Sequence, residues 1–436
     1  MNRKEFDVTR KVELPKEIII QEALGRYVAL DPASPNWIVV DHDECLLLDQ
    51  LRKESIIDAM KALVELLGIS EKRCITISKD LLEKIDRSNF YISNEGAEEE
   101  NIKSVKKNIQ INLTSDCNIR CKHCYLSAGI GEKHYLDREK IVAFIDSLER
   151  ERLSDEIVLS GGEPFLYEEL EGLVLDLRQR NFSAVIFSNG TLLDEDRVDS
   201  MRGGISAVQL SMEGISEKAF ESVRGKGTYK KLCSALMSLK KLRIRVVLAI
   251  TVFEEVIEDV EANLFGFLRW LDYDDLEVRI NSDIERKGNV EKFPDFFASS
   301  TDSLRLRVNR IISRLINDGF SFPADGGKSN RFTNCGIGAS IVLDSTGVVY
   351  PCNEFIDAVG VNINDQDSEN LVQKLDDINA STSVKNIESC SECELMYVCC
   401  GGCKVKNKNV NGDYLAPVCD KQGVYNRMVL SEMDLA

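Results

Sequence analysis

Ten of the fourteen cysteines in this chain form two ordered arrays whose spacing predicts metal chemistry. The first array has the spacing C-x3-C-x2-C and comprises Cys117, Cys121 and Cys124. The second array lies in the last quarter of the chain and comprises Cys335, Cys352, Cys390, Cys393, Cys399, Cys403 and Cys419. Three thiolates on one short loop can hold three irons of a cubane. The fourth iron would be open to an outside ligand, so we expect a [4Fe-4S] cluster with one free coordination position.

Zinc is the alternative metal for the first array. Structural zinc normally has four protein ligands, which commonly come from C-x2-4-C pairs. No fourth cysteine lies near this loop, and the whole chain contains only three histidines. One of them, His123, lies inside the loop, where we expect it to face a cofactor rather than the metal. The spacing therefore favours an iron-sulfur cluster over zinc.

The bulk composition indicates a globular protein that can bury a large core. The chain has 436 residues, 43% of them hydrophobic, and a formal net charge of -18. Such a charge opposes nonspecific binding to nucleic acid, whose phosphates require clustered Lys and Arg. No apolar run approaches the roughly 18 residues of a membrane span, and no signal peptide is evident. We therefore expect a cytoplasmic protein with no nucleic-acid or membrane partner, in which the cysteines bind metal rather than form disulfides.

The elements that must position the first array form an α/β pattern. Apolar strands alternate with amphipathic helices, which is typical of parallel strands joined by right-handed crossovers. An eight-unit barrel usually takes about 250 residues, so this shorter run predicts a partial (β/α)6 barrel of the TIM type. The predicted strands are Ile109 to Leu113, Glu156 to Ser160, Ala184 to Ser188, Ala207 to Ser211, Arg245 to Thr251 and Leu276 to Ile280. The predicted helices include Asp137 to Arg152, Glu168 to Asn181 and Thr228 to Leu242.

Polar or glycine-rich motifs follow the first four of these strands. The cysteine loop follows the first strand, and the later motifs are GGEP (161–164), SNG (188–190) and SMEG (211–214). Chemistry in parallel barrels is located at the carboxyl ends of the strands. We therefore expect the four motifs to lie together on one rim.

With these motifs the chain resembles the radical S-adenosylmethionine enzymes. In that family the methionine amino and carboxylate groups chelate the open iron, and a 5'-deoxyadenosyl radical abstracts hydrogen from the substrate. The resemblance implies that Cys117, Cys121 and Cys124 hold the cluster and that Glu163 receives the methionine ammonium. The other cofactor contacts that it implies are His123 beside adenine, Gly161 and Gly162 with Glu163, Ser211 at the ribose, Arg224 at the methionine carboxylate, and Ser188 and Asn189. Capping or turn roles are the alternative for Ser188 and Asn189.

The second array resembles the SPASM extension of radical enzymes, which carries two auxiliary iron-sulfur clusters. The resemblance implies an outer cluster held by Cys390, Cys393, Cys399 and Cys419, and an inner cluster held by Cys335, Cys352 and Cys403. All three clusters of the chain are expected to be [4Fe-4S]. The inner cluster lacks an obvious fourth cysteine, because the side chain of Cys400 should point away from the cluster that its neighbour serves. A zinc ribbon is the alternative for the C-x2-C-x5-C-x3-C part.

The residues before the barrel predict a separate small module. Three strands (Glu17 to Gln21, Arg26 to Leu30 and Asn36 to Val40) precede two helices (Glu54 to Gly68, with Gly68 as its carboxyl-terminal cap, and Ser78 to Asp86). The acidic stretch Ser93 to Asn101 indicates a linker. The module resembles the winged-helix element that recognises leader peptides of ribosomally made natural products. An exposed sheet edge captures an extended peptide by strand addition, and we expect Asn36 to Asp41 to do so. The alternative is a structural cap on the barrel.

Together these features predict four segments and a peptide-modifying enzyme. The segments are a recognition module (1–100), the barrel (101–310), a bridging segment (311–334) and the SPASM domain (335–436). We expect hydrogen abstraction from a precursor peptide and formation of an intramolecular cross-link, either carbon-carbon, as between Lys and Trp, or a Cys thioether. The alternative is a protein-modifying maturase of the sulfatase-maturase or quinone-cofactor type. The expected partners are the precursor peptide and an external electron donor, and the sequence does not identify a general base.

Overall fold

The computed structural model describes residues 7–91, 106–282, 288–293, 302–320, 331–354, 357–364 and 370–432. The contacts of the chain divide it into two compact units. The first unit joins the amino-terminal hundred residues to the segments 323–335 and 382–436. The second unit contains residues 102–322 and 336–381. The division predicted from the sequence, with limits at residues 100, 310 and 334, stays a prediction, and the predicted linker Ser93 to Asn101 lies outside the described residues.

The second unit is built on a sheet whose core is six consecutive parallel strands, as the sequence predicts. These strands alternate with helices, and their buried apolar residues form one large core with those of the helices. The strands are β4 (Lys107–Asn112), β5 (Leu153–Ser160), β6 (Ser183–Ser188), β7 (Ile205–Met212), β8 (Val246–Thr251) and β9 (Leu276–Asn281). The helices are α4 (Arg138–Asp146), α5 (Leu170–Gln179), α6 (Glu195–Met201), α7 (Glu217–Arg224), α8 (Tyr229–Leu242), α9 (Ile257–Leu271) and α10 (Asp302–Asn317).

Two further strands, which the sequence did not predict, extend this sheet beyond β4. Strand β10 (Ser340–Leu343) pairs parallel to β4, and β11 (Val349–Tyr350) pairs antiparallel to β10. The sheet of the second unit therefore has eight strands in the order β11-β10-β4-β5-β6-β7-β8-β9. Helix α11 (Leu371–Ser381) follows and buries Leu371 and Leu375 in the barrel core.

A buried ion cluster connects α11 to the start of β4. The Lys107 ammonium lies 2.6 Å from Asp376, and the Arg152 guanidinium donates a hydrogen bond to the same carboxylate over 2.9 Å. Lys107 also donates to the Gly338 carbonyl over 2.8 Å, and its side chain is 1% exposed. Burial would raise the pKa of Asp376, but the two cations outweigh it and lower that pKa. The cluster therefore joins two cations and one carboxylate within the second unit.

The first unit is a three-stranded antiparallel sheet with a helical layer on each face. The strands are β1 (Ile19–Ala23), β2 (Arg26–Asp31) and β3 (Asn36–Val40), in that order across the sheet. One face packs on α1 (His42–Leu51), α2 (Ile56–Leu67) and α3 (Glu71–Arg87) through residues such as Ala29, Ile38 and Val40. The other face packs on α14 (Lys421–Glu432), and the short helices α12 (Met396–Cys399) and α13 (Lys404–Asn411) precede α14 in the chain.

The apolar contact of α14 with the sheet joins the two ends of the chain in one core. Ala23, Val28, Leu30 and Val39 from the strands are buried together with Leu395, Val424, Tyr425, Met428 and Val429. The segment 331–335 belongs to the same unit, where Arg331 donates a hydrogen bond to the Ala33 carbonyl over 2.8 Å. The amino-terminal sheet and the carboxyl-terminal cysteine segment thus stabilise each other.

The three strands and the helices α2 and α3 correspond to predicted elements, whereas α1, which Asp41 caps, was not predicted from the sequence. Strand β3 has the predicted limits, and α2 ends at Gly68, which adopts the predicted left-handed capping conformation. Helix α3 is longer than the predicted helix at Ser78 to Asp86, because Ser70 caps it eight residues earlier. None of the helices in the described ranges is long and apolar enough to cross a membrane.

We predict that Asp376→Ala destabilises the protein strongly, whereas the neighbouring Asp377→Ala does not. Asp376 is 4% exposed and pairs with two cations, and removing one partner of a buried ion pair typically costs about 3–5 kcal/mol. Asp377 is exposed, so its replacement should change the free energy of unfolding by less than about 0.5 kcal/mol. Urea denaturation of both apoproteins measures the difference. Equal effects of the two substitutions would contradict the assigned role of the ion cluster.

Candidate functional site

The cysteine loop leaves the carboxyl end of β4 and is fixed by backbone hydrogen bonds from several directions. The Lys122 amide donates to the Val223 carbonyl over 3.1 Å, and the Asn289 amide donates to the Cys124 carbonyl over 2.9 Å. The Asn289 side-chain amide donates to the Cys121 carbonyl over 3.0 Å. Asn289 is 4% exposed, and the sequence analysis did not identify it. Its role could not be inferred from the pattern, because it comes from a short turn far along the chain.

The GGE segment after β5 packs directly on this loop. The Gly162 amide donates to the Thr114 carbonyl over 2.7 Å, and the Glu163 amide donates to the Asp116 carbonyl over 2.9 Å. A Cβ atom on Gly162 would lie 1.9 Å from the Asp116 carbonyl oxygen, and one on Gly161 would lie 2.5 Å from that of Thr114. Gly161 also has a φ of +126°, which L side chains rarely adopt. Both positions therefore require glycine for contact with the loop backbone.

Glu163 is fully buried beside the loop and is held by neutral donors. One carboxylate oxygen accepts hydrogen bonds from the Ser188 hydroxyl (2.8 Å) and the Phe165 amide (3.2 Å), and the other accepts from the Asn189 amide (2.9 Å). Burial raises the pKa of Glu163, and these hydrogen bonds oppose the shift. Glu163 forms no ion pair with any residue that the structure describes. An incoming ammonium group would supply the cation that this buried carboxylate lacks.

Asn189 links the third strand end to the first. Its side-chain amide donates to Asn118 over 3.0 Å and lies 3.8 Å from the Cys117 sulfur. Its side-chain oxygen accepts a hydrogen bond from the Thr191 amide over 2.8 Å. The structure therefore brings Ser188 and Asn189 together with Glu163 and Cys117, in addition to the turn role considered from the sequence.

The fourth strand end carries a buried charge cluster that the sequence analysis only partly recognised. Glu213 and Arg224 form a fully buried ion pair through both guanidinium Nε and Nη2, with the Nη2 contact at 2.6 Å. His123 Nε2 lies 3.2 Å from the same carboxylate, and its Nδ1 is buried without a hydrogen-bond partner in the described residues. Burial would raise the pKa of Glu213, but Arg224 and His123 outweigh it and lower the pKa to about 2. The Glu213 carboxylate can only accept a hydrogen bond, so His123 Nε2 is the donor in this contact.

Arg224 and Ser211, two of the predicted cofactor contacts, lie in environments that differ from the expected ones. Arg224, assigned by resemblance to the methionine carboxylate, is engaged by Glu213, and its guanidinium also opposes the burial that raises the pKa of Cys121 to about 12. The Ser211 hydroxyl makes no hydrogen bond to any part of the chain that the structure describes. Both cofactor roles stay predictions. The sequence analysis did not assign a role to Glu213, although this residue lies in the SMEG motif at the end of a strand. Its position eleven residues before Arg224 could have suggested an ion pair.

The four cysteines assigned to the outer cluster all lie in the first unit. Cys390 ends a short 3-10 turn, Cys399 ends α12, and Cys419 precedes α14. The Cys393 amide donates to the Cys390 carbonyl over 3.1 Å, which brings this pair into one turn. Of the three cysteines assigned to the inner cluster, Cys335 and Cys403 belong to the first unit and Cys352 to the second, so that assignment stays a prediction.

Cys400, which the sequence did not assign to either auxiliary cluster, is a buried residue of the first unit. Its thiol is buried and donates to the Phe332 carbonyl over 3.2 Å. Burial raises the pKa of this thiol to about 12. The side chain thus has a protein partner of its own.

The donor sets fit iron-sulfur clusters by their chemistry. Thiolates are the preferred ligands of iron in such clusters, and the first loop supplies three of them beside a buried carboxylate without a cation. Within the described ranges, no three His, Cys, Asp or Glu side chains are already arranged to hold a metal ion. The ligand assignments therefore stay predictions that the donor chemistry supports.

Comparison with known proteins supports the assignment of the barrel. Residues 111–265 match the model of the radical SAM superfamily. Fe-coproporphyrin III synthase of Methanosarcina barkeri is 34% identical over 154 residues, which are 35% of this chain and 38% of that protein. The antilisterial bacteriocin subtilosin biosynthesis protein AlbA of Bacillus subtilis is 25% identical over 332 residues, which are 70% of this chain and 69% of that protein.

A solved structure extends the likeness to the whole fold. SuiB of Streptococcus suis, bound to S-adenosylmethionine, superposes with a TM-score of 0.57 at 14% identity, and the superposition covers 94% of this chain and 99% of SuiB. This likeness confirms the predicted fold class of a partial barrel with an amino-terminal module and a cysteine-rich carboxyl-terminal segment. The family match assigns a radical SAM domain to the barrel.

We predict that Glu213→Gln destabilises the apoprotein by about 3–5 kcal/mol, because it leaves the Arg224 guanidinium buried without a counter-charge. The control is Glu217→Gln in the first turn of α7, where the carboxylate is exposed. Urea denaturation should show less than about 0.5 kcal/mol for this control. A Glu213→Gln variant as stable as the control would contradict the assigned ion pair.

Proposed function

We propose that this enzyme, which contains a radical SAM domain, modifies a ribosomally made precursor peptide and forms an intramolecular cross-link in it. The observation that carries the proposal is the Glu163 carboxylate, which is fully buried beside the cysteine loop and has only neutral donors among the residues that the structure describes. This arrangement suits the methionine ammonium of S-adenosylmethionine. The similarity to AlbA, which extends over 70% of this chain, supports a peptide as the substrate.

The chain's own residues would bind and orient the cofactors. When bound, a [4Fe-4S] cluster and S-adenosylmethionine supply the radical that removes hydrogen from the substrate. Cys117, Cys121 and Cys124 would hold the cluster, and Glu163 would fix the amino group of the cofactor. Glu213 would hold His123 in one orientation, and the His123 Nδ1, which has no hydrogen-bond partner among the described residues, would be available to a polar group of the cofactor. The backbone contacts of Gly161 and Gly162 fix Glu163 relative to the cysteines.

The peptide leader would bind at the outer edge of β3, which is an edge strand of its sheet. The start of this strand is held by Asn36, whose side-chain amide donates to the Ser88 and Asn89 carbonyls over 3.0 and 3.1 Å. The side-chain oxygen of Asn36 is buried and has no hydrogen-bond partner in the described residues. At the opposite edge, the Glu22 carbonyl of β1 already accepts a hydrogen bond from Gln422. These features favour β3 for strand addition.

Two other functions compete with this proposal. The similarity to Fe-coproporphyrin III synthase favours tetrapyrrole chemistry, but it covers only 35% of this chain. A maturase that acts on a folded protein would not need the amino-terminal module. Our proposal includes two auxiliary clusters. It also includes the cross-link product, which is either a carbon-carbon bond or a Cys thioether.

We predict that the anaerobically reconstituted full chain cleaves S-adenosylmethionine to 5'-deoxyadenosine under reducing conditions. Replacement of Cys117, Cys121 and Cys124 together by Ala should abolish the product, whereas Cys233→Ala in α8 should retain it. With the peptide from a neighbouring short reading frame, mass spectrometry should find a product lighter by two hydrogen atoms. Cleavage that proceeds only with a tetrapyrrole, and leaves the peptide unchanged, would contradict the proposal.

We also predict that the leader peptide protects the amides of β3 from hydrogen exchange. Deleting the first hundred residues is an unsuitable test, because it would uncover the apolar face of α14. Exchange measured by mass spectrometry on the intact chain avoids this problem. Segments containing Trp37–Val40 should exchange more slowly with the leader, whereas Ile19–Ala23 of β1 should not change. Protection confined to β1, or none at either edge, would exclude leader binding at β3.

A further inference from the structure

The last three strands of the barrel carry polar side chains on the face of the sheet that is opposite to the helices. Successive residues of a strand point to opposite faces. The residues of these strands that are buried against the helices include Leu210, Leu248 and Val278. On the other, inner face the strand pairing places Gln209, Val247 and Glu277 in one row, and Ser211, Ala249 and Arg279 in the next row towards the carboxyl ends.

Two arginines share one carboxylate on this inner face. Arg245 Nη2 and Arg279 Nε each donate a hydrogen bond to the Glu277 carboxylate over 2.6 Å. Glu277 is 8% exposed, whereas both arginine side chains are 48% exposed. Burial would raise the pKa of Glu277, but the two guanidinium groups outweigh it and lower that pKa. The group therefore carries one positive charge in excess, although the formal net charge of the chain is -18.

Arg279 has donors to spare for a ligand. Its only hydrogen bond within the described ranges uses Nε, so both terminal amino groups of its guanidinium have no partner there. A guanidinium presents its donors in a rigid fork that matches a carboxylate. Ala249, the neighbour of Arg279 in the row, has a minimal side chain, and beyond it lies Ser211. The row thus places two available donors on either side of a small residue.

The position of Arg279 favours an anion of the substrate over one of the cofactor. Glu163, the proposed partner of the methionine ammonium, follows β5, whereas Arg279 belongs to β9, the fourth strand beyond it in the sheet. Neighbouring strands lie about 4.8 Å apart along a sheet. The ammonium and the carboxylate of an amino acid are attached to one carbon, so the methionine carboxylate stays near Glu163. A carboxylate at Arg279 therefore belongs to another molecule.

We propose that Arg279 binds a carboxylate of the core peptide on the inner face of the barrel. The substrates are then peptides that carry this group on an acidic side chain or at a free carboxyl terminus. The inference rests on the proposed function, because it takes the substrate to be a peptide. Arg279 would select and position the core of the peptide, whereas β3 would bind its leader. The excess positive charge attracts an acidic core and opposes a basic one.

The test is a double-mutant cycle of peptide binding to the intact chain. The probe is the precursor peptide from the neighbouring short reading frame, labelled with fluorescein at its amino terminus, and fluorescence anisotropy gives its Kd. Each carboxylate of the core is neutralised singly, by Asp→Asn, by Glu→Gln or by amidation of the carboxyl terminus. Neutralising the recognised group should weaken binding to the parent protein about tenfold. The position of that group distinguishes an acidic side chain from the carboxyl terminus.

Arg279→Gln should weaken binding of the unmodified peptide by the same factor, about tenfold, and should abolish the effect of that one neutralisation. Arg279→Lys keeps the charge but loses the fork, so we expect a smaller loss of about threefold. The matched control is Arg269→Gln, which removes an exposed arginine from α9 and should change the Kd by less than about twofold.

Glu277→Gln supplies a readout that a structural role would not give. This substitution removes the carboxylate that engages both guanidinium groups, so the peptide should bind more tightly than to the parent protein. Charged side chains on an edge strand can also act only against pairing with other chains. In that case neither Arg279→Gln nor Glu277→Gln would change the Kd of the peptide, and the inference would be wrong.

The outcomes separate this inference from the proposed function. Neutralisations that weaken binding equally to the parent and to Arg279→Gln would overturn the role of Arg279 alone. The same holds if Arg279→Gln weakens binding of S-adenosylmethionine to the reconstituted protein and leaves the Kd of the peptide unchanged, because the cofactor would then be the ligand. A parent protein that binds no precursor peptide would overturn the proposed function, and this inference with it.

Discussion

The arrangement of the site depends on the close approach of two backbone segments. Residues 161–163 lie against residues 114–116, and no side chain fits at Gly161 or Gly162 without displacing the carbonyl groups of the cysteine loop. Because main-chain hydrogen bonds join the segments, the separation of Glu163 from Cys117 does not depend on flexible side chains. Asn189 connects the end of β6 to these two segments. Its backbone amide donates to Glu163, and its side-chain amide lies near the Cys117 sulfur. Three strand ends are thereby fixed together before any cofactor binds.

Two fully buried carboxylates at this rim are stabilised in opposite ways. Glu213 pairs with Arg224 and His123, so its charge is balanced within the protein and its pKa falls to about 2. Glu163 has only neutral donors, and burial raises its pKa. A carboxylate that is hydrogen-bonded but uncompensated is preorganised for a cation from outside. Glu213 is therefore suited to maintain the architecture of the rim, whereas Glu163 is suited to bind a ligand.

The sequence predicted the elements with strong local signals. The six parallel strands, the limits of β3 and the cap at Gly68 follow from apolar periodicity and turn chemistry, which act over a few residues. Contacts between distant segments were not predictable in this way. The pairing of β10 with β4, the packing of α14 on β1 to β3 and the support of the cysteine loop by Asn289 join residues that are far apart in the chain.

The first unit joins the sheet that we propose for peptide recognition and the carboxyl-terminal cysteine segment through one core. Val39 of β3 is buried in the same cluster as Leu395, and Cys393 and Cys399 pack against that cluster. A peptide strand added at β3 would extend a sheet whose opposite face supports the cysteine segment. Substitutions in this shared core would therefore affect both the proposed leader binding at β3 and the proposed cluster binding, although the other face of the sheet has a second core with α1 to α3. The two ends of the chain, more than three hundred and fifty residues apart, are for this reason interdependent in folding as well as in the proposed function.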